Sequence, residues 1–137
     1  MSDELLFRSC SPSDAWWDPA RDKPSSQLFL PNSEDGGELS VASSHKTTAK
    51  KFHEEYTVTL GLSSRGIWAV SSDELSPVAG VKNTNGNDIH LDYFADEGKT
   101  KPTGHCLIDM KPYSKGRLKK IAQALRNRAH DRGIQHP

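Results

Sequence analysis

The sequence predicts a single α+β domain over residues 1–137, with a mostly antiparallel twisted sheet and two main helices packed on it. Two kinds of apolar spacing support this prediction. Several short segments alternate apolar and polar residues, as half-buried strands do, and two longer segments repeat apolar residues at helical spacing. The predicted elements follow the order β, β, β, α, β, β, β, β, α, which is typical of this fold class.

Composition indicates a modest core and no membrane segment. Hydrophobic residues make up 34% of the chain, and three Trp, three Tyr and four Phe supply much of the predicted core. No apolar run approaches the roughly 18 residues that span a bilayer, and the acidic start lacks the pattern of a signal peptide. We therefore expect a cytoplasmic protein without a membrane partner. Cys10 and Cys106 form no disulfide framework, so we interpret both as core thiols.

The first part of the chain predicts three strands and a loop. Residues 4–10 (ELLFRSC) predict the first strand, with Arg8 near its end. Residues 11–37 are loop-rich, because they contain several prolines and end in turn-forming residues, and their Trp16 and Trp17 are expected to hold the loop against the domain. Residues 27–30 (QLFL) predict a brief second strand, and residues 38–42 (ELSVA) predict the third.

The first predicted helix follows the third strand directly. Ser43 or Ser44 is expected to cap it, because a serine side-chain oxygen accepts a hydrogen bond from a first-turn N–H. Its predicted buried stripe consists of Ala49, Phe52 and Tyr56. Residues 58–62 are predicted to be its ragged end.

The second half predicts four more strands and a basic helix. Residues 66–70 (GIWAV) predict a central strand, since they are apolar on both faces apart from the glycine. Residues 72–75 predict a single turn, and residues 78–82 and 88–94 predict a hairpin around Asn85-Gly86. Residues 105–110 (HCLIDM) predict the last strand.

A basic helix and tail are predicted at residues 111–137. Ser114 is expected to cap the helix, which runs to about Ala129 and is closed by Gly133. Its predicted buried stripe consists of Leu118, Ile121, Ala122, Leu125 and Ala129. Residues 111–137 carry eight bases against one acid, whereas residues 1–40 carry eight acids against three bases. This asymmetry favours either an anionic partner for the helix or pairing between the two ends of the chain.

An anion-binding site is predicted around Arg8. An arginine at a strand end, near hydroxyl side chains that precede a helix, can hold a diphosphate through fork-shaped hydrogen bonds and backbone N–H groups. Ser40, Ser43 and His45 are the predicted ligand-binding partners of Arg8. The structural alternative is an ion pair between Arg8 and the acidic N-terminal segment.

Two resemblances bear on this site. The motif LLFRSC, followed by LSVASS and a helix with Ala49 and Phe52, resembles the order of elements in ADP-ribosyltransferases, which implies NAD as a cofactor. The late catalytic glutamate of those enzymes has no recognisable counterpart here, and relatives that act on RNA phosphate groups use His and Arg instead. The elements LFR, SSQLF, LSV, GIWAV and PTGHCLI also resemble those of small bacterial proteins of no assigned function, which implies a common fold.

His90, Asp92 and His105 form a second predicted constellation. A strand places His90 and Asp92 on one face, and His105 opens the next strand. Two imidazoles with a carboxylate suit a divalent metal, and they also suit metal-free acid–base cleavage of RNA. The structural alternative, exposed surface residues, also remains open.

These observations lead to one functional hypothesis and two alternatives. The domain is predicted to recognise a nucleotide or RNA in a cleft lined by Arg8, Ser40, His90 and His105, with both histidines as candidate catalytic residues. Lys119 and Arg126 of the basic helix are predicted to contact the same anionic partner. One alternative is a protein-interaction module that uses the Trp16–Trp17 segment and the basic helix. The other is an NAD-using enzyme, and a divalent metal also remains open.

Overall fold

The computed structural model describes residues 4–31, 37–97, 101 and 103–137, and these form the predicted α+β domain. The main strands are β1 (Leu5–Ser9), β4 (Glu38–Ser43), β5 (Ile67–Ser71), β6 (Tyr93–Ala95) and β7 (His105–Asp109). They form one antiparallel sheet in the order β5-β1-β4-β7-β6. The two-residue strands β2 (Trp17–Asp18) and β3 (Lys23–Pro24) pair within the loop-rich segment. Most of the predicted turn at residues 32–37, and Pro102 of the late PTGHCLI element, lie outside the described residues.

The two helices, α1 (Ala49–Glu54) and α2 (Lys115–Arg132), cover opposite faces of the sheet. Side chains alternate along β1, so Leu6 packs in the larger core with α2, whereas Phe7 packs in a smaller cluster with Phe52 of α1. No helix among the described residues combines the length and the apolar character that crossing a membrane requires.

Helix α2 confirms the predicted cap, stripe and stop. The Ser114 side chain accepts a hydrogen bond from the Arg117 N–H, and Gly133 ends the helix with a φ of +90°. The fully buried residues of its stripe are Ile121, Ala122, Leu125 and Ala129. The helix extends one turn further than predicted, to Arg132.

The first helix begins later than predicted. Thr48 caps it by accepting from the Lys51 N–H, because the two candidate serines have other partners. Ser43 donates to the Glu4 carboxylate, and the Ser44 side chain accepts from the Leu5 N–H. The prediction that Ser43 or Ser44 caps this helix was therefore wrong. Past α1, the chain continues as a π-helix over Glu55–Thr59.

Two predicted strand segments are corrected. The predicted strand at residues 27–30 is instead a 3₁₀ helix, Ser26–Phe29. Its adjacent residues Leu28 and Phe29 both pack into the same core cluster, whereas a strand would turn them to opposite faces. The predicted hairpin keeps its turn, but among the described residues it retains only one bridge, Lys82 to Asp88, and strand structure resumes at β6. The backbone there pairs instead with the turn before it, since the Leu91 N–H donates to the Leu75 carbonyl.

Strand β5 lies at an edge of the sheet, although the sequence predicts a central strand. It is apolar on both faces because the two core clusters cover them. The C-terminal tail covers its edge: the Ile67 N–H donates to the His136 carbonyl, and the Gln135 N–H donates to the Ile67 carbonyl. The C-terminal tail is therefore attached to the sheet through its backbone.

Gly66 is expected to be sensitive to substitution because it lies under this tail. Its φ is +118°, and an added Cβ would lie 2.6 Å from Ile134 Cδ1 and 3.0 Å from the His136 carbonyl oxygen. We expect Gly66→Ala to lower the free energy of unfolding by about 2–3 kcal/mol in urea titrations. The control is Gly116→Ala in α2, where no atom lies within 4 Å of the added Cβ; this change should raise stability by about 0.5–1 kcal/mol. Unchanged stability of Gly66→Ala would contradict the prediction.

Candidate anion-binding cleft

The cleft begins where β1 and β4 stop pairing. Their ladder consists of two residue pairs, Leu6 with Ser43 and Phe7 with Ala42, whereas β1 pairs with β5 along all five residues. At the next position of β1, the Arg8 side chain bridges the two strands. Its Nη1 donates to the Ser40 carbonyl oxygen at 2.9 Å.

Two further contacts position the Arg8 guanidinium. Its Nε donates to the Leu28 carbonyl oxygen at 2.8 Å, and its central carbon lies 5.3 Å from the centroid of the Trp16 ring. The two carbonyls and the ring are neutral groups. These contacts therefore fix the guanidinium in place through neutral groups. The structural alternative, an ion pair between Arg8 and the acidic N-terminal segment, stays a prediction, because part of that segment lies outside the described residues.

A cavity of about 400 Å³ lies beside Arg8, which is within the size range of small-ligand sites. Three predicted site residues line this cavity together: Arg8, Ser40 and His105. The remaining lining residues are Ser9, Ser11, Trp16, Val41, Phe52, Tyr56 and Leu60. One side thus carries a cation and hydroxyl groups, and the other side is aromatic and aliphatic.

His105 is buried at the start of β7 and is held by Asp96, a partner that no pattern in the sequence indicates. Its Nδ1 lies 2.9 Å from the Asp96 carbonyl oxygen and 3.1 Å from the Asp96 carboxylate Oδ2. A carbonyl oxygen can only accept, so Nδ1 carries the proton and donates. Within the described part of the chain, no partner binds Nε2, which is left as the nitrogen for a ligand.

Ser43 and His45 lie in a different cluster, contrary to their predicted role beside Arg8. Ser43 and Tyr93 both donate hydrogen bonds to the buried Glu4 carboxylate, and His45 Nδ1 lies 3.6 Å from Glu4 Oε2. Ser40 and Ser43 are three residues apart on β4, so their side chains point to opposite faces of the sheet. Only Ser40 therefore faces the Arg8 cavity.

His90 and Asp92 are also outside the cleft. Both are exposed, and His90 Nδ1 shares a hydrogen bond of 2.6 Å with the Ser76 hydroxyl. The Asp92 carbonyl accepts from the N–H of Asp109, the last residue of β7. His105 is the first residue of β7, so it lies at the other end of this strand from Asp92. Among the described residues, no three His, Cys, Asp or Glu side chains lie close enough together to hold a metal ion.

The basic face of α2 is separate from the cleft. Lys119 lines a smaller groove with Leu118 and Gln27, and Arg126 donates to the neighbouring Asn127 side chain. Because α2 covers the sheet face opposite α1, neither side chain lines the Arg8 cavity. Within the described residues, two of the eight bases of residues 111–137 form ion pairs: Arg132 with Glu74 at 2.8 Å, and Lys111, which precedes α2, with Glu38 at 3.5 Å.

The apolar wall of the cleft comes from a helix irregularity that the sequence pattern does not show. Phe52 lies in α1, Tyr56 lies in the π-helical turn, and Leu60 caps that turn. Single π-helical turns are often found at functional sites, because they shift side chains out of the regular helical register. The helical stripe predicts that Phe52 and Tyr56 face inward, but it does not predict the open space between them and Arg8.

Both cysteines are buried free thiols, as predicted. Burial raises the pKa of the Cys10 thiol to about 11, against the opposing effect of the nearby positive charges of Arg65 and Arg8. Burial also raises the pKa of the Cys106 thiol. Neither thiol is therefore ionised near neutral pH, and neither provides a reactive group for the cleft.

Comparisons with known proteins do not assign this cleft. No family model matches the chain, and searches of curated proteins and of solved structures find no significant match to it.

Proposed function

We propose that the cleft binds a nucleotide, either free or at the end of an RNA chain. The observation that carries this proposal is a single cavity with Arg8, Ser40 and His105 on one side and Phe52, Tyr56 and Leu60 on the other. A nucleotide also has a charged part and an apolar part, because its phosphate is anionic and its base is a flat apolar ring. The fixed guanidinium suits the phosphate, and the aromatic wall suits the base.

Each side of the cleft has a distinct role in this proposal. Arg8 is already held by two carbonyls, so little side-chain freedom is lost when it binds a phosphate oxygen. The Ser40 hydroxyl and His105 Nε2 provide further polar contacts. Stacking of a base on an aromatic side chain contributes about 1–3 kcal/mol, which makes Tyr56 the main determinant of affinity on the apolar side.

Nucleotide binding is tested by thermal shift and calorimetry with adenine and uracil mononucleotides, NAD and short RNA. A ligand at about 100 times its dissociation constant stabilises the folded state by about 2.7 kcal/mol, which raises the melting temperature by several degrees. We expect Tyr56→Ala to weaken binding by about 5-fold to 100-fold through the loss of stacking. The control is Phe94→Ala, because Phe94 is an exposed aromatic residue outside the cavity. A flat panel with the wild-type protein would contradict the proposal and would direct attention to a protein partner of the Trp16–Trp17 segment.

We propose acid–base catalysis as a second function, because Asp96 orients His105. Donation from Nδ1 to Asp96 holds the ring so that Nε2 can take a proton from a ligand hydroxyl or from water. If RNA or NAD is turned over, His105→Gln should lower the rate by about 100-fold or more while nucleotide affinity changes little. His90→Gln is the matched control and should leave the rate unchanged, since His90 lies outside the cavity. Asp96→Asn should alter the pH profile of the rate, whereas a purely structural role of Asp96 would lower the rate equally at every pH.

A further inference from the structure

Two bases of the β2–β3 hairpin lie beside helix α2. His130 Nε2 donates to the Pro24 carbonyl oxygen at 2.8 Å, which joins the helix to strand β3. Lys23 precedes Pro24 in β3, and it pairs with Asp18 of β2, whose carboxylate lies 3.6 Å from Arg21 Nε. The hairpin bases Lys23 and Arg21 are therefore held close to the His130 end of α2.

Three bases of α2 lie on the same flank of the helix as His130. Lys119, Arg126 and His130 follow one another at spacings of seven and four residues, and such positions share one side of an α-helix. Lys115 lies one turn before Lys119, and both line a groove with Gln27. The segment that follows β3 therefore runs alongside this flank. The row from Lys115 to Arg126 extends over about 16 Å, at about 1.5 Å per residue.

The pKa of His130 indicates that hairpin and helix bases are close together. Burial lowers the pKa of the His130 imidazole, and the hydrogen bond to Pro24 raises it. Three nearby positive charges lower the pKa further, those of Arg126, Lys23 and Arg21. Burial also lowers the pKa of the Arg126 guanidinium, and the nearby charge of Arg21 lowers it further. The hairpin and the helix therefore contribute to one positively charged surface.

This basic surface consists of five bases: Arg21, Lys23, Lys115, Lys119 and Arg126. Against these five stand two hairpin acids, Asp18 and Asp22, so the excess is three positive charges. Within the described part of the chain, the pair of Asp18 with Arg21 is the one ion pair that the five bases form. The core of a protein interface is apolar, yet no exposed large hydrophobic residue among those described belongs to α2 or to the hairpin. The surface therefore suits a polyanion better than a protein.

We propose that the basic surface binds the phosphate backbone of a double-stranded nucleic acid without reading its sequence. The proposal does not rest on the cleft, because none of the five bases lines the cavity beside Arg8. A double helix carries one phosphate charge per about 1.7 Å of its axis, so a row of about 16 Å meets several phosphates. Single strands are usually held by bases stacked on aromatic side chains, and the five side chains of the basic surface offer none.

The test is fluorescence anisotropy with labelled RNA duplexes of about 20 base pairs and two unrelated sequences. We expect equal affinity for both sequences, and a loss of about 100-fold between about 50 and 200 mM salt, because three or four contacts each release a counterion. The double variant Lys119→Gln with Arg126→Gln should weaken binding by about 10-fold and lower the salt slope by about 2. The matched control, Lys120→Gln with Arg128→Gln, removes the same charge from other sides of α2. It should stay within about 2-fold of wild type near 150 mM salt, where charges are screened beyond about 8 Å.

Equal weakening by the two double variants would overturn the proposal, because net charge and not the basic surface would then determine affinity. Competition by polyglutamate as effective as that by unlabelled duplex would overturn it in favour of an acidic protein partner. Absence of duplex binding at about 50 mM salt would overturn it and leave nucleotide binding in the cleft untouched.

A cleft variant separates the two sites. Tyr56→Ala should bind the duplexes as the wild-type protein does, and loss of duplex binding in this variant would assign the duplex to the cleft and overturn the proposal. Melting temperatures within about two degrees of wild type establish that each variant is folded. Lys119→Glu, a change at an exposed position, repeats the test without disturbing buried contacts. Unchanged duplex affinity of Lys119→Glu would also overturn the proposal.

Discussion

Replacing Arg8 by methionine is expected to lower the free energy of unfolding by about 3 kcal/mol, because two carbonyl acceptors lose their donor. The Arg8 side chain connects the Leu28 and Ser40 carbonyls and packs on Trp16. Methionine keeps most of the apolar volume of the arginine side chain, so the decrease in the free energy of unfolding measures the polar contacts of Arg8. The same variant should show no nucleotide-induced thermal shift, since the cleft loses its interior cation. Urea titration and the nucleotide panel measure the two effects separately.

Arg65→Met is the matched control for this variant. The Arg65 guanidinium also packs on a tryptophan ring, but the residue is exposed, and within the described part of the chain its side chain donates to no carbonyl. An exposed cation–π contact contributes about 0.5–1 kcal/mol, so this change should cost no more than that. If both variants lost the same stability, the strand-bridging role of Arg8 would be wrong.

Replacing Glu4 by glutamine is the second change with a large expected effect, a loss of about 2–3 kcal/mol at pH 7. The Glu4 carboxylate accepts hydrogen bonds from Ser43 at the end of β4 and from Tyr93 at the start of β6. It therefore joins the start of β1 to two other strands. An amide keeps one acceptor oxygen, but its NH₂ group can only donate, so one of the two hydroxyls must turn to accept, and both bonds lose the carboxylate charge.

The same carboxylate predicts loss of stability in acid. Burial raises the pKa of the Glu4 carboxyl, but the hydrogen bonds from Ser43 and Tyr93, with the nearby His45, outweigh burial and place it below its ordinary value of 4.5. A carboxyl with a lowered pKa stabilises the fold above the pKa of the unfolded chain, and this contribution is lost as pH falls through the folded value. We expect stability to decrease below about pH 4.5, and less steeply in Glu4→Gln.

Unfolding free energies measured between pH 7 and pH 3 test this prediction. Glu74 contributes with the same sign. Burial raises the pKa of its carboxyl, but hydrogen bonds from Arg132 and Ser71 outweigh burial and place the pKa below its ordinary value. Some acid sensitivity should therefore persist in Glu4→Gln. The control is Glu54→Gln, because Glu54 is exposed on α1 and should leave the pH profile unchanged. A Glu4→Gln profile parallel to that of the wild-type protein would contradict the role assigned to Glu4.

Part of the candidate site could be predicted from the sequence. An arginine near the end of an apolar strand and hydroxyl residues on the next strand predict an anion site, and Arg8 and Ser40 do line one cavity with His105. Closeness in sequence also predicts Ser43 and His45 in this site. Strand alternation instead turns Ser43 to the opposite face, where Glu4 accepts its hydrogen bond. The prediction of His90 in this site requires that its strand pairs with β7, and this pairing does not form at His90.

Local patterns in the sequence determined the fold class, the strands at β1, β4 and β7, and helix α2 with its Ser114 cap and Gly133 stop. These features depend on neighbours within a few residues, where periodicity and capping act. Only the tertiary structure decided that Arg8 bridges β1 and β4, that Asp96 orients His105, and that Arg65 packs on Trp17. The Arg8 and Arg65 contacts join residues that are distant along the chain, and the Asp96 contact depends on how β6 pairs with β7. Many polar residues could be partners on the basis of the sequence, and the packing of the strands and loops determines which of them come into contact.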